Sequence, residues 1–312
     1  MYDVIIIGAG PAGASAAIYS ARKKLKTLII AEDFGGQTII SDTIENWIGV
    51  LKITGLEFAK MLEMHVRAQE DIEIKTPEKI IAVKSAQCGS VRGWEISTDK
   101  SNSYQTKALI VASGGRRRRL NIPGAEKFEG KGIAYCPTCD APLFKNKGIA
   151  VIGSGDAGLE AVIDLIPYAG KIYLLSNKET LIGDASTQKE IKKLDKVSII
   201  INADVKEILG DKFVSGLKYL DKNDNQIKEL AVEGIFVEIG SAPNSEFVKD
   251  LVELNQKGEI IIDHKTGATS QPGIFAAGYV TDEIYKQNNI SAGSAVTAAL
   301  STYNYILNLK KI

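Results

Sequence analysis

Apolar residues fall in short unbroken runs, and the first two runs flank a stretch of glycine and alanine. Residues 4–7 (Val-Ile-Ile-Ile) lead into a glycine turn, an alanine-rich segment follows, and residues 27–30 (Thr-Leu-Ile-Ile) close the pattern. Runs without polar alternation belong to strands buried on both faces, and the segment between them has the length of a helix. The same order returns 145 residues later, from Gly8 to Gly153: an apolar run at 149–152, a glycine turn, a helical stretch to Ile166, and a run at 172–175. Two such units predict an α/β chain with two Rossmann-like, three-layer nucleotide-binding domains rather than one large sheet. The tail, 241–312, carries no glycine fingerprint. Strands are expected at 259–263 and 273–277 and a helix at 292–309; at about 70 residues it is marginal as an independent domain and is expected to complete one of the other two. Joints rich in glycine or bearing proline, at 112–115 and 240–243, mark the crossings.

Composition narrows the class. The 312 residues suffice for two cores. Lys+Arg and Asp+Glu balance at 38 each, so no net charge points to nucleic acid or an anionic membrane. No apolar run reaches the roughly 18–20 residues of a membrane span. The chain opens directly on a strand without a basic leader, and a cytoplasmic location is expected.

The first fingerprint is Gly8-x-Gly10-x-x-Gly13, with Pro11 and Ala12 inside it. The second is Gly153-x-Gly155-x-x-Gly158, with Asp156 and Ala157 inside it. The first glycine allows the turn, the second lets a pyrophosphate reach the backbone, and the third lets helix and strand pack. Each stands between a strand and a helix, so the pair points to two dinucleotides, a flavin and a nicotinamide. The ribose-reading position lies about 20 residues on. It falls at Ala31 and Glu32 in the first unit and at Ser176, Asn177 and Lys178 in the second.

Reactive chemistry sits in Cys136-Pro137-Thr138-Cys139-Asp140. Thiols at this spacing close a disulfide if the segment is a turn or helix start, and Asp140 can move a proton beside them. The plainer alternative is a pair of buried structural cysteines. A metal site would need two more ligands, and Cys88, His65 and His264 are far away in sequence, so none is assigned. Residues 116–119 are four arginines, either a solvated basic loop or a docking patch for an acidic partner or for nicotinamide phosphates.

With these residues in place, the chain resembles the low-molecular-weight thioredoxin reductases and the C-terminal half of the alkyl hydroperoxide reductase flavoprotein. The resemblance rests on Gly8 to Gly13, Gly35-Gly36-Gln37, Glu45-Asn46-Trp47, Ala112-Ser113-Gly114, Cys136 to Asp140, Gly153 to Gly158, Phe275-Ala276-Ala277-Gly278 and Lys286-Gln287, in family order. It implies FAD in a domain made of 1–112 and 241–312, with a nicotinamide domain, 113–240, inserted. It also implies Gly36, Gln37, Asn46, Gly278 and Gln287 along the flavin, NADH or NADPH as reductant, and a homodimer. Cys136 would attack the disulfide of thioredoxin or a glutaredoxin-like protein, and Cys139 would face the flavin. The peroxide-reductase relative's extra N-terminal module is not expected here, so the disulfide carrier would be a separate chain.

Two departures from the family pattern bear on function. Where NADPH-dependent members carry arginines, this chain has Ser176, Asn177, Lys178 and Ile182, which favours NADH. Where an aspartate normally follows Gly278, it has Tyr279. The alternatives are a ferredoxin-dependent flavin thioredoxin reductase, or a flavin-binding sensor without catalysis.

Overall fold

The computed structural model describes residues 1–41, 43–88 and 91–309. Packing divides the chain into two units, one formed by 1–116 and 242–312, the other by 117–241.

In the first unit β1 (Tyr2–Ala9), α1 (Pro11–Arg22) and β2 (Thr27–Phe34) come from the opening apolar runs. They are followed by α2 (Gly55–Arg67), β3 (Ile72–Lys75), β4 (Ile80–Cys88), β5 (Val91–Thr98) and β6 (Ser103–Val111). β1 runs parallel between β2 and β6, with Ile6 opposite Ile29 and Ile110. Successive strand residues point to opposite faces, so the unbroken runs feed two cores. Val4, Ile6, Ile29 and Ile110 pack with Ala14, Ala17, Phe58 and Leu62 of the helices. Ile5, Ile7, Leu28 and Leu109 pack with Val83, Trp94 and Ile96 of the antiparallel β4–β5 pair. Each such aliphatic side chain stabilises the fold by about 1.5–3 kcal/mol. α2 starts at a reciprocal cap in which the Thr54 side chain accepts from the Glu57 N–H and Glu57 accepts from the Thr54 N–H at 3.0 Å.

β7 (Gly115–Arg117) leads out of this unit. The second unit contains β8 (Ile133–Ala134), α3 (Pro137–Asp140), β9 (Gly148–Ile152), α4 (Asp156–Leu165), β10 (Lys171–Leu175), α5 (Ala185–Ile191) and β11 (Val197–Ile200). Then come β12 (Ala203–Gly210), β13 (Val214–Asp221), β14 (Gln226–Leu230) and β15 (Gly234–Val237). A five-stranded sheet has the order β11-β10-β9-β15-β8, its strands paired in parallel. Helix α4 covers one face through Leu159, Val162 and Leu165. The antiparallel β12–β14 ribbon covers the other through Val205, Ile208 and Leu217.

The chain returns through β16 (Ser241–Pro243), which pairs with β7, so the two crossings form a two-stranded ribbon. β17 (Ile274–Ala276) joins β6 in parallel, and α6 (Asn288–Leu309) lays Ala295, Ala298, Ala299 and Ile306 onto the helical core of the first unit. The helix begins four residues before the expected start. The strand expected at 259–263 is absent: its residues make isolated bridges only. Side chains take over part of the ladder there, Asn255 accepting from the Glu259 N–H at 3.0 Å and Asp282 from the Ile262 N–H at 3.3 Å. Among the described residues no helix is long and apolar enough to cross a membrane.

Candidate functional site

Both glycine turns are built to the same specification. Gly8 has φ 102° and Gly153 has φ 127°, values that L side chains rarely adopt. A Cβ on Gly13 would stand 1.8 Å from the Gly8 carbonyl oxygen, and one on Gly158 would stand 1.9 Å from that of Gly153. The helices that follow, α1 and α4, start at Gly10 and Gly155 without any side-chain cap. Their first-turn N–H groups and the positive end of the helix dipole are thus available to an anion. Around Gly10 a Cβ would come no nearer than 3.8 Å to another atom, and around Gly155 nothing lies within 4 Å. The residues present therefore fit one dinucleotide pyrophosphate at each turn.

The first turn is overlaid by other parts of its unit. The Gly35 N–H donates to the Ala9 carbonyl at 2.9 Å, and a Cβ on Gly36 would lie 3.6 Å from the Gly10 Cα. A Cβ on Gly278 would lie 2.9 Å from the Ala12 Cβ, so the tail delivers Gly278 onto the first turn of α1. Ala31 is buried and Glu32 exposed at the end of β2, Glu32 lying 3.7 Å from Lys79. Gln37 sits half-buried in the short helical turn Gly36–Ile40. Asn46 and Gln287, 241 residues apart, are brought together, Asn46 Nδ2 donating to Gln287 Oε1 at 3.3 Å. Asn289 Nδ2 also donates to the Asn46 carbonyl at 2.7 Å. Tyr279 donates its hydroxyl to the Lys286 carbonyl, next to Gln287.

At the second turn Asp156 accepts from the Asp184 N–H at 2.8 Å, and Ala157 is exposed beside it. Ser176 does not present itself to a ribose as expected. It is 1% exposed, and its hydroxyl shares a 2.7 Å hydrogen bond with Ser154 and accepts from the Lys178 N–H. It fastens the turn, and Asn177 and Lys178 beside it are exposed.

Three residues here had no part in the sequence reading. Gly183 lies against the turn, where a Cβ would be 2.8 Å from the Asp156 nitrogen. Lys222, from the β13–β14 connection, donates to the Asn177 carbonyl at 2.9 Å. Glu238 directly follows β15, and its carbonyl oxygen would meet a Gly153 Cβ at 2.1 Å. Burial, with Asp164 and Glu160 adding to it, pushes the Glu238 carboxyl up to about 8 against the pull of Arg117. A charged residue inside the apolar run 235–239 was the available signal for Glu238; Lys222 and Gly183 carried none that spacing reveals.

Cys136 and Cys139 form a disulfide at the start of α3. The Cys136 carbonyl accepts from the Cys139 and Asp140 N–H groups at 3.0 and 2.9 Å, closing the turn around the pair. Thr138, between the cysteines, donates to Asp164 of α4 at 3.0 Å. Behind the loop Ala141 and Phe144 are buried, and Phe144 meets the edge of Phe236 at 5.1 Å between centroids. Cys136, Cys139 and Asp140 all stay half-exposed, which a structural cystine in a core would not. Three of the four arginines have partners within the fold, although Arg116, Arg118 and Arg119 are exposed. Arg116 pairs with Glu246 and Asn244, Arg117 lies over the Tyr135 ring at 5.3 Å, and Arg119 approaches Glu129 at 3.8 Å.

With two dinucleotide turns and an accessible cystine in one chain, comparison with known proteins is decisive. The pattern of the pyridine nucleotide-disulphide oxidoreductases matches residues 2–298. The chain belongs to that family. Membership implies a flavin and a pyridine nucleotide as its cofactors. Over its whole length this oxidoreductase has the fold of solved low-molecular-weight thioredoxin reductases. That from Streptococcus pyogenes superposes with a TM-score of 0.90 at 32% identity, covering 100% of this chain and 99% of that one. That from Giardia duodenalis gives 0.91 at 28% identity, covering 98% and 99%. Sequence relatives are more similar still. An NADH dehydrogenase of Bacillus subtilis is 42% identical over 306 residues, 98% of this chain and 59% of that protein. An alkyl hydroperoxide reductase component of Pseudomonas aeruginosa is 43% identical over 309 residues, 98% and 58%. The chain thus spans less than three-fifths of the length of these two relatives.

Proposed function

We propose that this oxidoreductase is a cytoplasmic, homodimeric FAD enzyme that carries electrons from NADH to the disulfide of thioredoxin or a glutaredoxin-like protein through Cys136 and Cys139. The observation that carries this reading is the half-exposed Cys136–Cys139 disulfide in a chain with two uncapped glycine turns. FAD would be held by Gly8, Gly10, Pro11, Ala12 and Gly13, with Ala31, Glu32, Gly36, Gln37, Asn46, Gly278, Tyr279 and Gln287 along its length. NADH would be held by Gly153, Gly155, Asp156, Ala157 and Gly158, with Asn177 and Lys178 at the ribose. A bound flavin would supply two-electron transfer from the nicotinamide to the Cys136–Cys139 disulfide, giving the dithiol.

The exchange itself belongs to the cysteines. The Cys136 thiolate attacks one sulfur of the partner's disulfide, forming a mixed disulfide and releasing one partner thiolate, which takes a proton. The Cys139 thiolate then attacks the Cys136 sulfur, restoring the Cys136–Cys139 bond and releasing the second partner thiolate, which also takes a proton. Asp140, next in sequence to Cys139, would move those protons.

NADH is preferred because a 2′-phosphate needs charge-assisted hydrogen bonds, each worth about 1.5–3 kcal/mol. Lys178 supplies one point charge in place of an arginine cluster. The NADH dehydrogenase name of the Bacillus subtilis relative agrees with this donor. A second reading changes only the acceptor: relatives at 42–43% identity named as components of alkyl hydroperoxide reductase favour a disulfide within a peroxide-reducing system.

The test is anaerobic titration of the flavoprotein with NADH, NADPH and reduced ferredoxin, followed by flavin absorbance, in the wild type and Cys139→Ser. NADH is expected to bleach the flavin in both proteins, while only the wild type turns over a thioredoxin disulfide. Bleaching by ferredoxin alone would overturn the donor; full turnover by Cys139→Ser would make the cystine structural.

A further inference from the structure

Glu238 occupies an unusual place for a carboxyl. In the second unit the chain runs from β9 to β10 and β11 on one side, and β15 lies on the other side of β9. The carboxyl ends of β9 and β15 therefore border the switch point of the sheet, where α/β folds receive their ligands. Gly153 directly follows β9 and Glu238 directly follows β15, and their backbones touch: the Glu238 N–H donates to the Ile152 carbonyl at 2.8 Å, and its own carbonyl leaves no room for a Cβ on Gly153. One Glu238 carboxyl oxygen is buried and has no hydrogen-bond partner among the described residues. A carboxylate left in that state is costly, whereas a neutral acid is tolerated.

The charges that act on it come from both elements beside it. Arg117 of β7 favours ionisation; Asp164 and Glu160, one turn apart on α4, oppose it. Neither side is free to rearrange around Glu238. Arg117 is stacked on Tyr135, and Asp164 is held by Thr138. Among the described residues one Glu238 oxygen thus has no hydrogen-bond partner, and two carboxylates oppose the single arginine that favours its charge, beside the turn read as a pyrophosphate site.

We propose that Glu238 is a protonation gate for the pyridine nucleotide: its neutral acid admits the dinucleotide to the Gly153 turn, and its carboxylate repels it. The inference rests on the reading of that turn as a nicotinamide dinucleotide site and adds a control that the glycine motif does not contain. Because burial holds the carboxyl near 8, the gate is open at neutral pH and closes as pH rises through that value. Each nucleotide bound above it must bring a proton back onto Glu238.

NAD+ bound to the oxidised holoenzyme reads this without any turnover. Calorimetric titration from pH 6.5 to 9 should show affinity falling about tenfold between pH 7 and 9, since only the neutral fraction is competent. Repeating the pH 9 titration in buffers of different ionisation enthalpy should show uptake of about 0.9 proton per nucleotide. Glu238→Gln keeps the shape and the neutral state; its affinity should stay within about twofold over the whole range, without proton uptake. Wild-type binding that is flat with pH and takes up no proton would overturn the gate while leaving the nucleotide site intact. An equal pH dependence in both proteins would assign the titration to another group and overturn it too. If neither protein binds NAD+ or NADH at any pH, the reading of the second turn fails, and the gate fails with it.

Discussion

The two glycine turns share their spacing, a positive-φ first glycine and a third glycine against its carbonyl, but differ in what surrounds them. Over the first turn lie the Gly35–Gly36 segment and Gly278 from the tail, so two stretches distant in sequence converge on one helix start. At the second turn a single segment flanks the helix start, the Ile182 and Gly183 N–H groups donating to the Ser154 carbonyl at 2.9 and 3.0 Å, while the space in front of Gly155 stays open. A cradle enclosed from several directions retains its ligand, because release requires those segments to move together. An open cradle exchanges its ligand at every turnover. The turn supplies the anion site in both, and the surroundings decide whether the occupant stays.

The largest test of this contrast is a matched pair of substitutions. Gly13→Ala and Gly158→Ala force the same Cβ into contacts of 1.8 and 1.9 Å, each costing roughly 1–3 kcal/mol of overpacking. Gly13→Ala should purify without flavin colour. Gly158→Ala should stay yellow while NADH reduces its flavin at least about a hundredfold more slowly in stopped flow, as expected for a misplaced reactant. Retention of colour by both would erase the distinction.

A smaller effect is expected at the ribose end. Lys178→Ala should lower kcat/KM for NADPH about tenfold, one charge-assisted contact, and leave that for NADH within about twofold. In the wild type NADH should be used at least as well as NADPH at equal salt; a tenfold preference for NADPH would show that Lys178 and Lys222 together replace the arginines.

The smallest effect concerns the covering of the first turn. Tyr279→Phe removes one hydrogen bond to the Lys286 carbonyl, worth about 1 kcal/mol. FAD should dissociate about fivefold more readily, with a Tm lower by about 2–4 °C. An unchanged off-rate would mean that the tail does not help to retain the flavin.

Both turns, their flanking strands and the reactive cysteines were legible because each is written locally, in a run of apolar residues or a fixed spacing. What lay beyond reading depends on residues far apart in sequence. Nothing near Asn46 announces Gln287. The strand expected at 259–263 has a strand's composition, yet Asn255 and Asp282 take backbone N–H groups that a ladder would have used. Ser176 stands at the ribose-reading spacing, but Ser154 claims its hydroxyl. Gly183 looks like any loop glycine until the fold brings it against Asp156.

The paired crossings have a consequence for how the protein is made. Residues 117–241 form a continuous stretch whose sheet needs nothing from outside it. The first unit begins earlier but lacks β17 and the apolar face of α6 until the last quarter of the chain has been synthesised. Domains fold as units while the ribosome works. The segment that starts second therefore finishes first, and the earlier half waits with the α6-facing side of α1 uncovered. Ribosome-bound chains long enough for residue 241 to have left the exit tunnel should accordingly hold a protease-resistant inner fragment within a still cleavable N-terminal half.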